Sequence, residues 1–139
     1  MALKGFENIT QDLTEFEVEQ VVPMIVRGLS QKIGKVNAVN NKYICEKINK
    51  HPNIINKYKL NGVKLRKIIQ YIRLRNIIEG LCSSSNGYYV AENMKELKMC
   101  IDSLTQRINT QTKVRDMLTK NMISKYQNIE IFKEYNNIV

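Results

Sequence analysis

The chain has 139 residues, 43% of them hydrophobic, and a formal net charge of +9, which is enough for one domain with a packed core. No run of about 18 uncharged apolar residues occurs, and the N-terminus lacks the layout of a signal peptide, so we expect a cytoplasmic protein without a membrane segment. Three cysteines without CxxC spacing and a single histidine argue against a disulfide framework and predict neither a metal site nor a cofactor.

The positive charge is concentrated in one part of the chain. Residues 41–75 carry ten basic side chains and one acidic one, whereas residues 1–40 carry four and five, and residues 76–139 carry eight and seven. A general bias towards lysine would spread the charge evenly, so this local excess needs a local cause. A polyanionic partner is the usual one.

The first predicted helix begins at a capping box, with Thr14 as N-cap and Glu17 three residues later. Apolar residues then recur with the helical period as far as Ile33, and Gly34 can end the helix. Pro23 lies inside that pattern, so we expect a kink or a break just before it.

A short helix follows, from an Asn40 cap to about Asn49, and His51-Pro52 ends it. The connector after it is irregular. Its apolar residues are expected to anchor to the core: Ile54, Ile55 and Leu60.

The basic segment ends in an amphipathic helix that Asn61 is expected to cap. One face of its helical wheel is apolar and consists of Leu65, Ile68, Ile69 and Ile72. The opposite face is cationic and hydrogen-bonding. A buried stripe is therefore expected to support an outward basic surface.

A β-hairpin is predicted from Ile77 to Val90, because Asn86-Gly87 can adopt positive φ at both central positions of a type I′ turn. Successive strand residues point to opposite sides of a sheet, so one of Tyr88 and Tyr89 is expected to pack inward and the other to lie outward. Packing against the last helix is favoured over stacking on nucleic acid.

A long helix follows a second capping box, formed by Asn93 and Glu96. Its apolar residues show a coiled-coil spacing that Gln111 and Arg115 interrupt. We expect it to pair with a second copy of the chain. The residues predicted to form the dimer contact are Leu97, Ile101, Leu104, Ile108 and Leu118.

The order of helix, short helix, turn, basic helix and hairpin is that of a winged helix-turn-helix, which predicts a mainly α fold with a small β-hairpin and a long C-terminal helix. The predicted organisation is an N-terminal arm (1–12), the winged helix-turn-helix domain (13–92), the long helix (93–122) and a tail (123–139).

A recognition helix enters the major groove, where arginine and lysine bind guanine and glutamine binds adenine, while a wing reaches along the backbone. Double-stranded DNA is therefore the expected partner. The predicted DNA-contacting residues are Lys59, Asn61, Lys64, Arg66, Lys67, Gln70, Tyr71, Arg73, Arg75, Ser84, Ser85 and Asn86. Arg66, Lys67 and Gln70 carry groups that match base edges, Lys59, Lys64, Arg73 and Arg75 are suited to phosphates, and the wing is suited to phosphate or sugar, but the sequence does not assign individual contacts.

Three phrases of the sequence resemble a group of small, largely uncharacterised phage- and prophage-encoded winged-helix proteins. They are LTEFEVEQVVPMIVRGLSQKIGKVNAVNNKYIC, VKLRKIIQYIR and SSSNGYYVAENMKELKMCIDSLTQRI, which together span about residues 13–108. The resemblance implies a winged-helix fold and a DNA-associated role in phage replication or gene control. It places Val63 to Arg73 on the recognition helix and Ser83 to Tyr89 on the wing.

Two other functions remain open at this point. The basic face or the long helix could bind an acidic host or phage protein, which would make the chain an inhibitor or adaptor, and a virion or scaffold component is a third possibility. An enzyme is not expected, because the sequence has no glycine-rich phosphate loop, no GxSxG and no cluster of metal ligands.

Overall fold

A computed structural model describes residues 13–127. The predicted N-terminal arm, and the predicted tail from residue 128 onward, lie outside the described residues. Helix α1 is a π-helical turn, Glu17–Val21, that runs into an α-helix, Val22–Leu29. The later elements are a 3-10 turn (Lys35–Asn37), α2 (Asn41–Asn49), α3 (Gly62–Leu74), β1 (Leu81–Ser84), β2 (Gly87–Val90) and α4 (Met94–Met122), which a π-helical turn continues (Ile123–Gln127). The predicted winged helix-turn-helix with a long C-terminal helix is thereby confirmed.

Helix α1 starts at the predicted capping box but ends earlier than predicted. Thr14 N donates to Glu17 Oε1 at 2.9 Å and Glu17 N donates to Thr14 Oγ1 at 3.1 Å. Pro23 has no N–H to donate, and the wider π-helical turn just before it accommodates the proline ring without breaking the helix.

The apolar period beyond Leu29 belongs to a different structure. Ile33 forms a parallel bridge with Val90 of β2, and Gly34 N donates to Val90 O at 2.8 Å. The predicted helix end at Gly34 is therefore wrong, because this segment has left the helix to pair with the hairpin. Val39 makes a second, antiparallel bridge to Tyr88.

An asparagine holds the turn between α2 and α3. Asn49 Nδ2 donates to Leu60 O at 2.9 Å, and Leu60 N donates to Asn49 Oδ1 at 2.7 Å. Ile54 and Leu60 are buried as predicted, but Ile55 is 50% exposed. Its prediction as a core residue is wrong, because the turn after α2 buries Ile54 and leaves the next residue, Ile55, at the surface.

The hairpin forms with a turn shifted by one residue from the prediction. Ser84 pairs with Gly87, so the two loop residues are Ser85 and Asn86. The left-handed φ lies at Gly87 (+121°) and not at Asn86. The strands begin at Leu81 rather than near Ile77.

Gly87 is required by a contact distant in sequence. A Cβ on Gly87 would lie 2.0 Å from Val39 O, so only glycine lets β2 lie against that backbone. At the same close contact between the two backbones, Tyr88 N donates to Val39 O at 2.8 Å.

The main core lies between the three helices and the hairpin, and it contains the four residues predicted for the inner face of α3. A second, smaller cluster consists of Cys82, Tyr89 and Cys100. Burial and the neighbouring Cys100 thiol raise the pKa of Cys82 to about 11, so this thiol stays protonated at neutral pH. Tyr89 is the inward tyrosine of the predicted pair, and Tyr88 is half-buried.

Helix α4 begins at the predicted cap, where Glu96 N donates to Asn93 Oδ1 at 3.0 Å. The Glu96 carboxylate accepts from Glu92 N at 2.8 Å and from Lys35 N at 3.0 Å. The chain divides into two compact units between Cys100 and Ile101.

Candidate nucleic-acid interface

The cap and the buried stripe of α3 fix which of its side chains face outward. Asn61 Oδ1 accepts from Lys64 N at 2.9 Å, as the sequence predicts, so the helix begins at Gly62. The inner face is almost completely buried and consists of Leu65, Ile68, Ile69 and Ile72. Every residue between these positions is therefore turned towards the sides or the outer face of the helix.

The outer face of α3 presents Arg66, Lys67 and Gln70 side by side, and all three residues are exposed. Val63 lies one turn earlier on the same helix and is 56% exposed. We call Arg66, Lys67 and Gln70 the α3 outer face. It combines two cations with an amide that can donate and accept, which is the chemistry required to contact base edges.

Lys64 contacts its own domain instead of extending outward with the α3 outer face. Its Nζ donates to Lys59 O at 3.1 Å and lies 4.7 Å from the centroid of the Tyr58 ring. The positive charge of Lys64 also contributes to lowering the pKa of Glu17. These contacts give Lys64 a structural role at the start of α3. The side chain of Lys59 is exposed.

Arg73 is placed differently from its prediction as a phosphate contact. Its Nε donates to Leu81 O at 3.0 Å, which joins the end of α3 to the first strand of the hairpin. The side chain is half-buried, and its Nη2 is buried without a hydrogen-bond partner among residues 13–127. Arg73 is a positioning residue for the hairpin, and the helical wheel could not show this because the contact depends on how the chain returns.

Tyr71 and Arg75 form a pair at the C-terminal end of α3. The guanidinium carbon of Arg75 lies 4.5 Å from the centroid of the half-buried Tyr71 ring, within the range of a cation–π interaction. Arg75 is exposed. Its charge is therefore held near the C-terminal end of the helix.

The tip of the hairpin is polar and small. Asn86 N donates to Ser84 Oγ at 3.2 Å, and Ser85 and Asn86 are exposed. These residues are the tip of the predicted wing. Hydroxyl and amide groups of this kind are suited to phosphate and sugar contacts.

A groove separates the hairpin from the N-terminus of α2. It is lined by Asn40, Asn41, Lys42, Ser83, Ser84, Ser85, Gly87 and Tyr88. Lys42 is exposed and is not among the predicted contacts. The sequence does predict a helix N-terminus after Asn40, which favours anions, but it cannot show that this terminus lies beside the hairpin.

The hairpin and α3 are neighbours, because Arg73 Nε of α3 donates to Leu81 O of β1. Burial raises the pKa of the Tyr88 hydroxyl, while the positive charges of Arg73 and Arg66 act in the opposite direction. The charge of Arg66 thus acts on the Tyr88 hydroxyl, which agrees with the contact that Arg73 makes between α3 and the hairpin.

Not every cation of residues 41–75 faces that surface. Lys47 Nζ lies 5.5 Å and Lys32 Nζ lies 5.9 Å from the centroid of Tyr43, in a groove between α1 and α2 that Arg27 also lines. Residues 41–75 therefore supply Lys47 to a second positive region, which Arg27 and Lys32 of the preceding segment complete. We call the second one the Tyr43 groove.

Every residue predicted to form the dimer contact is exposed in the single chain. Leu97 is the least exposed at 38%, and Ile108 is the most exposed at 63%. The other three are Ile101, Leu104 and Leu118. Exposed apolar residues in such numbers along one helix are typical of an interaction surface.

Neither the family models, nor the curated proteins, nor the solved structures contain a match to this chain. Between residues 13 and 127, no helix is both long and apolar enough to cross a lipid bilayer. In the same range, no three His, Cys, Asp or Glu side chains are grouped so that they could hold a metal ion.

Proposed function

We propose that this chain is a non-enzymatic, double-stranded DNA-binding protein of phage or mobile-element origin, which acts in the host cytoplasm as a transcriptional regulator or replication accessory factor. The observation that supports it best is the α3 outer face. Arg66, Lys67 and Gln70 are exposed together on a helix whose other face is buried. A hairpin with a polar tip is bonded to the C-terminal end of the same helix through Arg73.

In this proposal α3 lies in the major groove and reads bases. Arg66 or Lys67 donates to guanine O6 and N7, and Gln70 pairs with adenine N6 and N7. These are the pairings that discriminate between base pairs, because each presents donors and acceptors in the pattern that the base edge requires. Each such contact contributes about 1–3 kcal/mol of discrimination.

The remaining contacts are to the backbone and set the orientation of the protein. Lys59 and Arg75 lie near the two ends of α3, and Lys42 lies at the start of α2 across the groove from the hairpin serines. Cations and helix N-termini are the usual partners of phosphate oxygens. Ser85 and Asn86 extend the contact along the strand. Arg73 and Lys64 stabilise the interface through contacts within the domain: Arg73 bonds to the first strand of the hairpin, and Lys64 bonds to the connector before α3.

Dimerisation through α4 is part of the proposal. Two copies related by a twofold axis present two recognition helices, so the bound site is expected to be pseudo-palindromic. Selection of bound fragments from random duplex DNA would identify that site.

The first prediction is that the chain binds duplex DNA with a strong dependence on salt. Fluorescence anisotropy between about 50 and 200 mM salt should give a slope of log K against log salt near −4 to −5 for about five phosphate contacts. Reversal of charge in Arg66→Glu/Lys67→Glu should abolish binding, because it places like charge against the duplex.

The matched control is Lys113→Glu/Lys120→Glu, which makes the same charge change on exposed residues of α4. It should retain most of the binding. Both variants should melt within a few degrees of the parent chain, since exposed side chains contribute little to stability. A flat salt response, or equal loss in the two variants, would contradict the proposal.

A protein partner is the second candidate, and the Tyr43 groove is the observation that favours it. Arg27, Lys32 and Lys47 line this groove together with the exposed Tyr43 ring, and none of the three is among the contacts assigned to DNA. This surface fits an acidic host or phage protein. A pull-down from nuclease-treated lysate distinguishes the two functions, because a direct protein partner survives nuclease and a partner bridged by DNA is lost.

A further inference from the structure

Helix α4 carries a continuous stripe at alternating steps of four and three residues. It consists of Leu104, Ile108, Gln111, Arg115, Leu118 and Met122, which we call the seam. The four apolar members are between 39% and 63% exposed. Such a spacing keeps the stripe facing a partner helix over its whole length, as in a coiled coil.

One side of the seam is neutral. Three threonines lie seven residues apart along it, and each hydroxyl donates to the carbonyl four residues earlier: Thr105 to Ile101 O at 2.9 Å, Thr112 to Ile108 O at 2.8 Å, and Thr119 to Arg115 O at 2.9 Å. Their hydroxyls are satisfied within the helix, so their methyl groups can face a partner. Charged pairs at such flanking positions often set the orientation of two helices. Here the threonine flank cannot do so.

The other flank consists of Arg107, Val114 and Asn121 and has no acidic residue to pair with Arg107. The two polar members of the seam therefore decide the orientation. In a parallel, in-register pair, each seam residue meets its own copy, so Arg115 would oppose Arg115 in a partly desolvated layer. Two like charges at that distance repel each other strongly. In the single chain Arg115 donates to Asp116 Oδ1 at 3.0 Å with 72% of its side chain exposed, so the guanidinium can turn into the seam without breaking a buried contact.

We infer that α4 binds a second copy of the chain in antiparallel orientation, with Gln111 of each copy opposite Arg115 of the other. This inference rests on the homodimer of the proposed function and specifies its geometry. The guanidinium donates to the amide oxygen of Gln111, so both polar groups keep a partner.

The same arrangement matches every remaining seam residue. With the midpoint of the pair between Gln111 and Arg115, Ile108 faces Leu118 and Leu104 faces Met122. A shift by seven residues in either direction would place Arg115 opposite Leu104 or Leu118 and leave its charge against an apolar side chain. The polar pair thus fixes the register as well as the direction, as single polar seam residues do in other coiled coils.

Disulfide trapping in the full-length chain tests the orientation. Ile108→Cys and Leu118→Cys are prepared separately, with the parent chain as background, because Cys82 and Cys100 are buried and Cys45 is half-buried. Each variant alone should give no more intermolecular disulfide than the parent. A mixture of the two, unfolded and refolded together, should give a disulfide-linked heterodimer of one Ile108→Cys chain and one Leu118→Cys chain, which a tag on one variant makes visible by mass.

Two outcomes would overturn the inference. Self-linked dimers of each variant alone would mean a parallel pair, and no linkage in the mixture would mean that the seam does not meet a second copy in this register. Both substitutions replace exposed residues, so the fold is expected to persist, and circular dichroism checks that it does. No DNA is present, so the result is independent of the proposed DNA binding.

Gln111→Glu gives a second measurement. In the antiparallel pair each new carboxylate faces Arg115 of the other copy, so sedimentation equilibrium should show association tightened by about five- to tenfold, through two ion pairs per dimer. In a parallel pair the two carboxylates would oppose each other. Weaker association would therefore overturn the antiparallel arrangement.

Discussion

Glu17 is a buried carboxylate with a complete set of partners. Burial acts to raise its pKa, but hydrogen bonds from Thr14 and Tyr58 and the charge of Lys64 outweigh burial, so the pKa lies below its ordinary value of 4.5. The Tyr58 hydroxyl donates to Glu17 Oε2. Burial, and then Glu17 itself, raise the pKa of Tyr58. The capping residue of α1 thus also ties that helix to the connector before α3.

The depressed pKa predicts loss of stability in acid. A carboxylate with a lower pKa in the folded than in the unfolded chain stabilises the fold above the unfolded-state pKa, and this contribution disappears as pH falls through the folded-state pKa. Chemical denaturation of the parent chain at pH 7 and near pH 3 should show this loss. Glu17→Gln should be less stable than the parent at pH 7, by about 1–3 kcal/mol, and should lose less on acidification.

Glu19→Gln is the control for this prediction, since Glu19 is exposed two residues along the same helix. Its stability should follow the parent chain at both pH values. An acid loss of equal size in Glu17→Gln and in the parent would assign the pH dependence to other carboxylates.

At the scale of elements, the hairpin depends on the chain between α1 and α2. Val39 and Ile33 both pair with β2, so this segment extends the two-stranded hairpin along one edge. Gly87 lies where the two backbones approach, with left-handed φ and no space for a side chain. β2 is therefore fixed to the domain from Val90 up to the residue that follows the turn, and the loop residues Ser85 and Asn86 remain exposed.

Two glycine substitutions should have opposite effects. Gly87→Ala places a Cβ 2.0 Å from Val39 O and should lower the free energy of unfolding by at least about 2 kcal/mol. Gly28→Ala lies within α1, where a Cβ meets nothing within 4 Å, and should raise it by about 0.5–1 kcal/mol. Urea denaturation measures both, and a neutral Gly87→Ala would show that the approach to Val39 relaxes.

The elements that the sequence predicts well are those with local causes. Asn40 and Asn61 cap α2 and α3, and the buried stripe of α3 follows from its period, because capping and amphipathicity involve residues only a few positions apart. The hairpin turn lies one residue from its predicted position, because the place of the glycine is set by Val39, far away in the chain. Ile33 keeps the helical period while its backbone pairs with Val90.

In the candidate site, too, features with local causes are predicted from the sequence, and features set by contacts distant in the chain are not. The exposure of Arg66, Lys67 and Gln70 follows from the helical wheel, since the opposite face must be buried. The internal hydrogen bonds of Lys64 and Arg73 do not, because they depend on which loop or strand passes beside the helix. The sequence does not single out Lys42 for the same reason.

At the scale of the whole molecule, the proposal joins two properties, DNA binding and self-association. A dimer bound to a pseudo-palindromic site engages its second half-site intramolecularly, so its affinity exceeds that of a single copy without any new contact. The seam of α4 and the α3 outer face share no residues. Each can therefore be altered without direct change to the other.

Ile108→Lys should separate these properties. A charge at an exposed apolar seam residue should make the chain monomeric in sedimentation, and anisotropy should show binding to the selected DNA site weakened by about a hundredfold or more. Gln106→Lys adds the same charge at another exposed position, outside the seam, and should leave both unchanged. A monomeric Ile108→Lys chain that binds as tightly as the parent would mean that one copy suffices.

The bond from Arg73 to Leu81 O affects how any mutational scan of α3 would be interpreted. Removal of this side chain frees the first strand from the helix end, so affinity for DNA can fall even though no phosphate has lost a cation. Measured affinities alone would therefore make Arg73 look like a DNA-contacting residue, as Arg66 and Lys67 are proposed to be. The slope of log K against log salt separates the two cases, because it reports the number of counterions released on binding. A residue that only positions the hairpin leaves this number unchanged.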